Sequence, residues 1–133
     1  MSTFFKLYGI AFVVFFVIDL IWLGLVAKKL YQQEIGGLLK KDVNWLAAII
    51  FYLLFIAGLV VFVITPAIND QSLVKVMLLG AFFGLVTYAT YDLTNLATMK
   101  DFTLKITLID LTWGTSLGFL TSTLTYLIYN ILN

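Results

Sequence analysis

The side chains best suited to chemistry in this chain lie in one stretch, Tyr88-Ala-Thr-Tyr-Asp-Leu-Thr-Asn-Leu-Ala-Thr-Met-Lys100. It sets a carboxylate (Asp92), a carboxamide (Asn95), two phenols (Tyr88 and Tyr91) and the hydroxyl of Thr94 at the end of a long apolar run. Two shorter stretches echo it, Ile18-Asp19-Leu20-Ile21-Trp22 and Ile109-Asp110-Leu111-Thr112-Trp113. Carboxylates beside aromatic rings suit a cation, a protonated amine or a proton, because the ring faces and the acid both carry negative potential. The competing reading is structural: a membrane carboxyl can serve as polar glue between helices. An ionisable group at a helix centre costs roughly 2.5–3.5 kcal/mol on insertion scales, which weighs against a merely structural role for Asp92. For Asp19 and Asp110 the two readings stand level.

The elements that position these residues follow from composition. Hydrophobic residues make up 62% of the 133 and charged residues only 11%, a balance that belongs to membrane proteins. The length suits one membrane domain over 1–133 with no soluble module. There is no cysteine and no histidine, and all eight basic residues are lysine. Thiol nucleophiles, disulfides, imidazole acid–base work and the usual zinc or haem ligation are thereby excluded. We expect no cofactor and no metal site. The formal net charge of +1 offers no basic face for nucleic acid.

Apolar runs long enough to cross a bilayer, which takes about 20 residues, predict four spans at 4–27, 45–65, 73–99 and 104–129. A signal peptide is the rival reading of the first. That run is too long for a signal core, carries Asp19 and has no small-residue cleavage site, so it is expected to remain in the mature protein. The segment Lys28 to Asn44 is charged, broken by Gly36-Gly37, and apolar enough to lie on the membrane surface. Asp42 or Asn44 is placed to cap the second helix. Pro66 is expected to close the second span. Short connections between four helices predict an all-α, antiparallel four-helix bundle.

Lys28, Lys29, Lys40, Lys41, Lys100 and Lys105 fall on one side, against Lys6 and Lys75 on the other. The positive-inside rule therefore puts the first and third loops in the cytoplasm and both termini on the non-cytoplasmic side. Asp19 and Asp92 then lie roughly 12 Å up their helices from the cytoplasmic lysines, and Asp110 roughly 7–8 Å. All three fall in the cytoplasmic half. Helical spacing puts Gly84, Tyr88 and Asn95 on the face of Asp92, and Phe12, Phe15, Phe16 and Trp22 on that of Asp19. Thr107, Trp113, Gly114 and Gly118 share the face of Asp110. Asn95, Tyr88 and Trp22 are the first partners expected for Asp92.

Other features have plainer readings. Gly80-x-x-x-Gly84 and Gly114-x-x-x-Gly118 are small-residue ridges for close helix contact, within the chain or in a homodimer. Tyr31, Trp45, Tyr126 and Tyr129 read as interfacial anchors. The threonines at 107, 115, 121, 123 and 125 are expected to bond their own helix carbonyls. No lysine lies deep in a span, which excludes a retinal-type Schiff base.

The chain resembles the DUF2177 family of small bacterial membrane proteins. The likeness rests on Asp19-Leu-Ile-Trp-Leu-Gly24, Tyr31, Ile35-Gly36, Asn44, Phe51-Tyr52 and Pro66-Ala67. It continues through Gly80 to Gly84, Tyr88 to Thr98 and Asp110-Leu-Thr-Trp-Gly-Thr115, and so covers essentially the whole sequence. It implies a multi-pass protein of the bacterial inner membrane and brings no established activity.

Three functions compete on these residues. The first is a bilayer-embedded protein that binds or transports a small cation, protonated amine or other polar solute, coupled to protons or not. Its site comprises Asp19, Trp22, Tyr88, Tyr91, Asp92, Asn95, Asp110 and Trp113. The second is an enzyme on lipid or isoprenoid substrates that uses its aspartates as acid and base or as magnesium ligands. No DxxxD or DDxxD-like pairing supports it, so the balance is against an enzyme. The third is an accessory subunit whose polar cluster holds helices together.

Overall fold

The computed structural model describes residues 2–27, 29–30, 33 and 44–133. Among them every regular element is helical. In hydrocarbon, where water cannot satisfy the backbone, a helix pairs its N–H and C=O groups internally. Helix α1 spans Ser2–Trp22 and continues as a π-helical stretch, Leu23–Ala27. Helix α2 spans Trp45–Leu59, and a second π-helical turn, Val60–Ile64, joins it to α3, Thr65–Asp70. Helices α4, Leu73–Thr98, and α5, Leu104–Leu132, complete the chain.

Side-chain caps fix where three of these helices begin. Asn44, Ser72 and Thr103 accept from the N–H groups of Ala47, Lys75 and Ile106 at 3.2, 3.1 and 3.1 Å. Each pairs a donor that the first helical turn leaves over. Asn44 is thus one of the two expected caps; Asp42 lies outside the described residues. So does most of the charged segment before it, including Tyr31, Ile35 and Gly36-Gly37.

Pro66 does not close the second span. The helix runs through it to Asp70 because the chain widens first: the Thr65 N–H bonds the Val60 carbonyl, five residues back. Pro66 then sits in the first turn of α3, where its missing N–H costs nothing. The helix ends instead at Gln71, in the left-handed conformation at φ 50°. There the Gln71 and Ser72 N–H groups turn back onto the Ile68 and Ala67 carbonyls. The tyrosine expected as an anchor at 126 is also placed differently. It is buried in the core, whereas Trp45 is 63% exposed.

Three helical stretches, Thr3–Leu25, Trp45–Asp70 and Leu73–Thr98, are long and apolar enough to cross a membrane. Large apolar side chains such as Leu25, Leu54, Phe62, Leu78 and Phe82 stand exposed along them. Water would not tolerate so continuous an apolar surface, and lipid would. Helix α5, with 29 residues, is less apolar because its polar side chains face inward: Thr107, Asp110, Thr121, Ser122 and Thr125 are all buried.

Helices α4 and α5 make the closest contact in the molecule. A Cβ on Gly80 would strike the Ser122 hydroxyl and come within 2.8 Å of the Gly118 carbonyl. One on Gly84 would strike the Gly114 carbonyl, and one on Gly114 the ring of Tyr88. Gly80 meets Gly118 and Gly84 meets Gly114, so the two helices run antiparallel. Ser122 donates to Gly118 on its own helix at 2.5 Å and to the Val76 carbonyl of α4 at 3.4 Å. Both glycine ridges are therefore occupied within the chain, and a homodimer built on them would have no surface to use.

Helix α1 lies against α5, with Trp22 on Trp113 near one end and Lys6 donating to Asn133 at 3.5 Å near the other. Leu7, Ala11 and Phe15 share a fully buried core with Ile56, Leu59, Val60 and Ile64. Phe55 brings α2 onto α4 through Phe83 and Tyr88, with ring centroids 5.5 and 6.0 Å apart. The threonines at 107, 115 and 125 bond their own helix carbonyls as expected. The hydroxyls of Thr121 and Thr123 are buried with no such bond.

Candidate functional site

The fold buries all three aspartates and sets Asp92 beside Asp110. Asp19 is 6% exposed, Asp92 0% and Asp110 8%, and each comes from a different helix. Tyr88 of α4 stands at their centre, within electrostatic reach of Asp110, Asp19, Asp92 and the Tyr52 phenol. The glycine contact explains its position. With no side chain at Gly114, the Tyr88 ring lies directly on the α5 backbone, and Asp92, one turn further along α4, is carried up to Asp110.

The Asp92 and Asp110 carboxyls lie against each other. Neither oxygen of Asp92 has a hydrogen-bond partner, though both are buried. Both facts follow from one cause. Two carboxylates are both acceptors, so their contact is satisfied only when a proton or another cation lies between them. The bonds expected from Asn95, Tyr88 or Trp22 to Asp92 are not made. Asn95 is half-buried and sits beside the Tyr91 phenol instead, four residues back on its own helix.

Next to this pair is a cavity of about 370 Å³ lined by Ala48, Phe51, Tyr52, Thr87, Tyr88, Tyr91 and Asp110. Its walls are four aromatic rings, and Asp110 is its only charged group among the described residues. Phe51 and Tyr52 of α2 close the side opposite α4, with Phe51 edge-on to Tyr88 at 6.3 Å. Tyr91 is 59% exposed and packs edge-on against Phe102 at 6.2 Å, at the margin of the cavity. Thr87 donates its hydroxyl back to the Phe83 carbonyl of its own helix at 2.9 Å.

On the far side of Asp110, Trp113 stacks on Trp22 with centroids 4.4 Å apart and planes 7° from parallel. The aromatic wall predicted around Asp19 is only partly built. Phe15 is fully buried, but Phe12 is 39% exposed and packs on Phe16 at 4.6 Å between ring centroids. Of the residues singled out from sequence, Asp19, Tyr88, Asp92 and Asp110 form the cluster, Trp22 and Trp113 flank it, and Tyr91 and Asn95 lie at its edge.

Sequence reasoning missed the contribution of α2. Phe51, Tyr52 and Ala48 supply one whole wall, yet that span carries no charge to draw notice. One signal was present: Tyr52 is the one phenol in a span otherwise made of hydrocarbon side chains, with Trp45 and Thr65 at its ends.

Among the described residues, no three acidic side chains sit close enough to hold a metal ion together. A family model described as a predicted membrane protein, DUF2177, matches residues 4–127. No curated protein and no solved structure matches the chain.

Proposed function

Because the chain belongs to the DUF2177 family of predicted membrane proteins, we propose that it is a multi-pass protein of the bacterial inner membrane that binds a small cation within the bilayer and transports it. In this reading residues 1–133 form one membrane domain of four antiparallel spans, with both termini on the non-cytoplasmic side. At 1.5 Å per residue α5 is about 43 Å long, ample for a bilayer core of about 30 Å. Its inward-facing polar residues account for its lower hydropathy. The lysines at 100 and 105 and the run before Asn44 set the orientation.

One observation carries the function: a fully buried carboxyl, Asp92, lies against Asp110 without a donor for either of its oxygens. A structural carboxyl would have a tryptophan, threonine or amide donor to repay its burial. A proton held between the two carboxyls repays it, and in this reading a cation that reaches Asp110 takes that proton's place. The cavity beside Asp110 gives that charge a place to arrive from, and the aromatic walls stabilise it on the way.

The test is calorimetric titration of the detergent-solubilised protein with benzylammonium, beside Asp110→Asn. Wild type is expected to bind and the variant to lose at least tenfold in affinity. Equal titration curves would show that the carboxyl pair is not the binding element, and would leave the cluster as helix glue.

A further inference from the structure

We infer that the occupant of this site is an organic cation with an apolar body, rather than an inorganic ion. This rests on the cation-binding reading above and narrows it.

The first argument is the donor set. A bare metal ion must exchange its hydration shell for oxygens, typically six to eight for calcium or an octahedron for magnesium. The cavity wall offers one carboxylate, three phenols and a threonine hydroxyl. Asp92 stands behind Asp110 rather than in the wall, and no third acidic side chain is near enough to make a metal cage among the described residues. Such a wall cannot replace the water that a small hard ion would give up. An alkylated ammonium holds its water loosely and needs no oxygen cage.

The second argument is the shape of the wall. Phe51, Tyr52, Tyr88 and Tyr91 surround a volume of about 370 Å³, which falls in the range of small-molecule pockets and far exceeds an ion. Ring faces within about 6 Å attract a diffuse positive charge, and desolvation strengthens the attraction. Among the described residues, the ionisable groups coupled to the site are Asp19 from α1, Tyr52 from α2, Tyr88, Tyr91 and Asp92 from α4, and Asp110 from α5.

The experiment first compares ligands on the wild-type protein, where no variant need fold. Benzyltrimethylammonium and its neutral carbon isostere, neopentylbenzene, have the same shape and differ by one charge. Potassium and magnesium chlorides supply inorganic charge without an apolar body. Calorimetric titration is expected to show benzyltrimethylammonium binding at least tenfold more tightly than the isostere and than either metal ion. Phe51→Leu should then weaken it about tenfold, having removed a ring and kept an apolar side chain. Magnesium or potassium binding that Asp110→Asn abolishes, with no response to benzyltrimethylammonium, would overturn the organic class and leave the cation site standing. Equal binding of the isostere would make the cavity a groove for hydrocarbon and overturn the inference. Binding by none of the cations would remove the cation-binding reading itself.

Discussion

Trp22 and Trp113 lie face to face, 4.4 Å between ring centroids and 7° from parallel, each three residues after an aspartate. The two segments, Ile18-Asp-Leu-Ile-Trp22 and Ile109-Asp-Leu-Thr-Trp113, differ at one position, and their helices run antiparallel. Each therefore presents an aspartate and a tryptophan on one face to a near copy of itself. The stack ties α1 to α5 beside the carboxyl cluster.

That tie can be measured. Offset aromatic pairs contribute about 0.5–1.5 kcal/mol beyond their burial. Thermal or denaturant unfolding of Trp22→Leu, Trp113→Leu and the double variant should give a coupling of about 1 kcal/mol. Simple additivity of the two single effects would mean the rings do not meet in the folded protein.

The glycine contact between α4 and α5 predicts a sharp contrast among glycines. Gly84→Ala places a methyl group on the Gly114 carbonyl, and backbone cannot step aside as a side-chain tip can. Overpacking of that kind costs about 1–3 kcal/mol. At Gly9 nothing lies within 4 Å of an added Cβ, so Gly9→Ala should be neutral or slightly stabilising. Melting temperatures of the two variants decide it; a Gly84→Ala protein as stable as Gly9→Ala would mean the ridges are not in contact.

Sidedness is open to direct labelling, because the chain has no cysteine of its own. Cysteines at Asn69 and Asn133 should react with an impermeant maleimide added to intact cells, while one at Asp101 should react only after the membrane is opened. Asn69 and Asp101 flank α4, so labelling of both from outside would mean that α4 does not cross the bilayer.

Much of this arrangement was legible in the residues. Long apolar runs can only be helices in lipid, and helical spacing alone put Asp92 and Tyr88 on one face. The glycine ridges announced a close contact, though not that α4 and α5 would spend them on each other. Two things could not be read. Pro66 looks like a stop until the chain takes up a π turn one step before it, and that choice is made by packing of Val60, Val63 and Ile64 in the core. The partner of Asp92 was hidden for a different reason. Sequence suggests donors for a buried acid: Asn95 and Tyr88 within helical reach, and Trp22 from another helix. The fold instead set a second acid against it, an unfavourable contact in isolation that no rule of complementarity would choose.

That contact gives Asp92→Asn an outcome that separates function from scaffold. Apart from its contact with Asp110, the wild-type carboxyl makes no hydrogen bond among the described residues that the amide could lose. The amide, by contrast, brings N–H donors to the face of Asp110, and interhelical polar bonds in membranes average about 0.6 kcal/mol. The variant should therefore melt at the same temperature as wild type or slightly above it. Its binding should move the other way. An amide that donates to Asp110 occupies the oxygen a cation would use and removes the second negative charge behind it, so affinity for benzyltrimethylammonium should fall at least tenfold. Asp92→Leu should separate the two effects, since it deletes the charge without supplying a donor. It should be at least as stable as wild type, because replacing a buried charge by a packed apolar group is often stabilising, and it should bind more weakly too. The measurements are thermal melts and calorimetric titrations on the three proteins side by side. Loss of stability in both variants with affinity unchanged would make Asp92 a residue that holds helices, and the carboxyl pair would then have no part in binding.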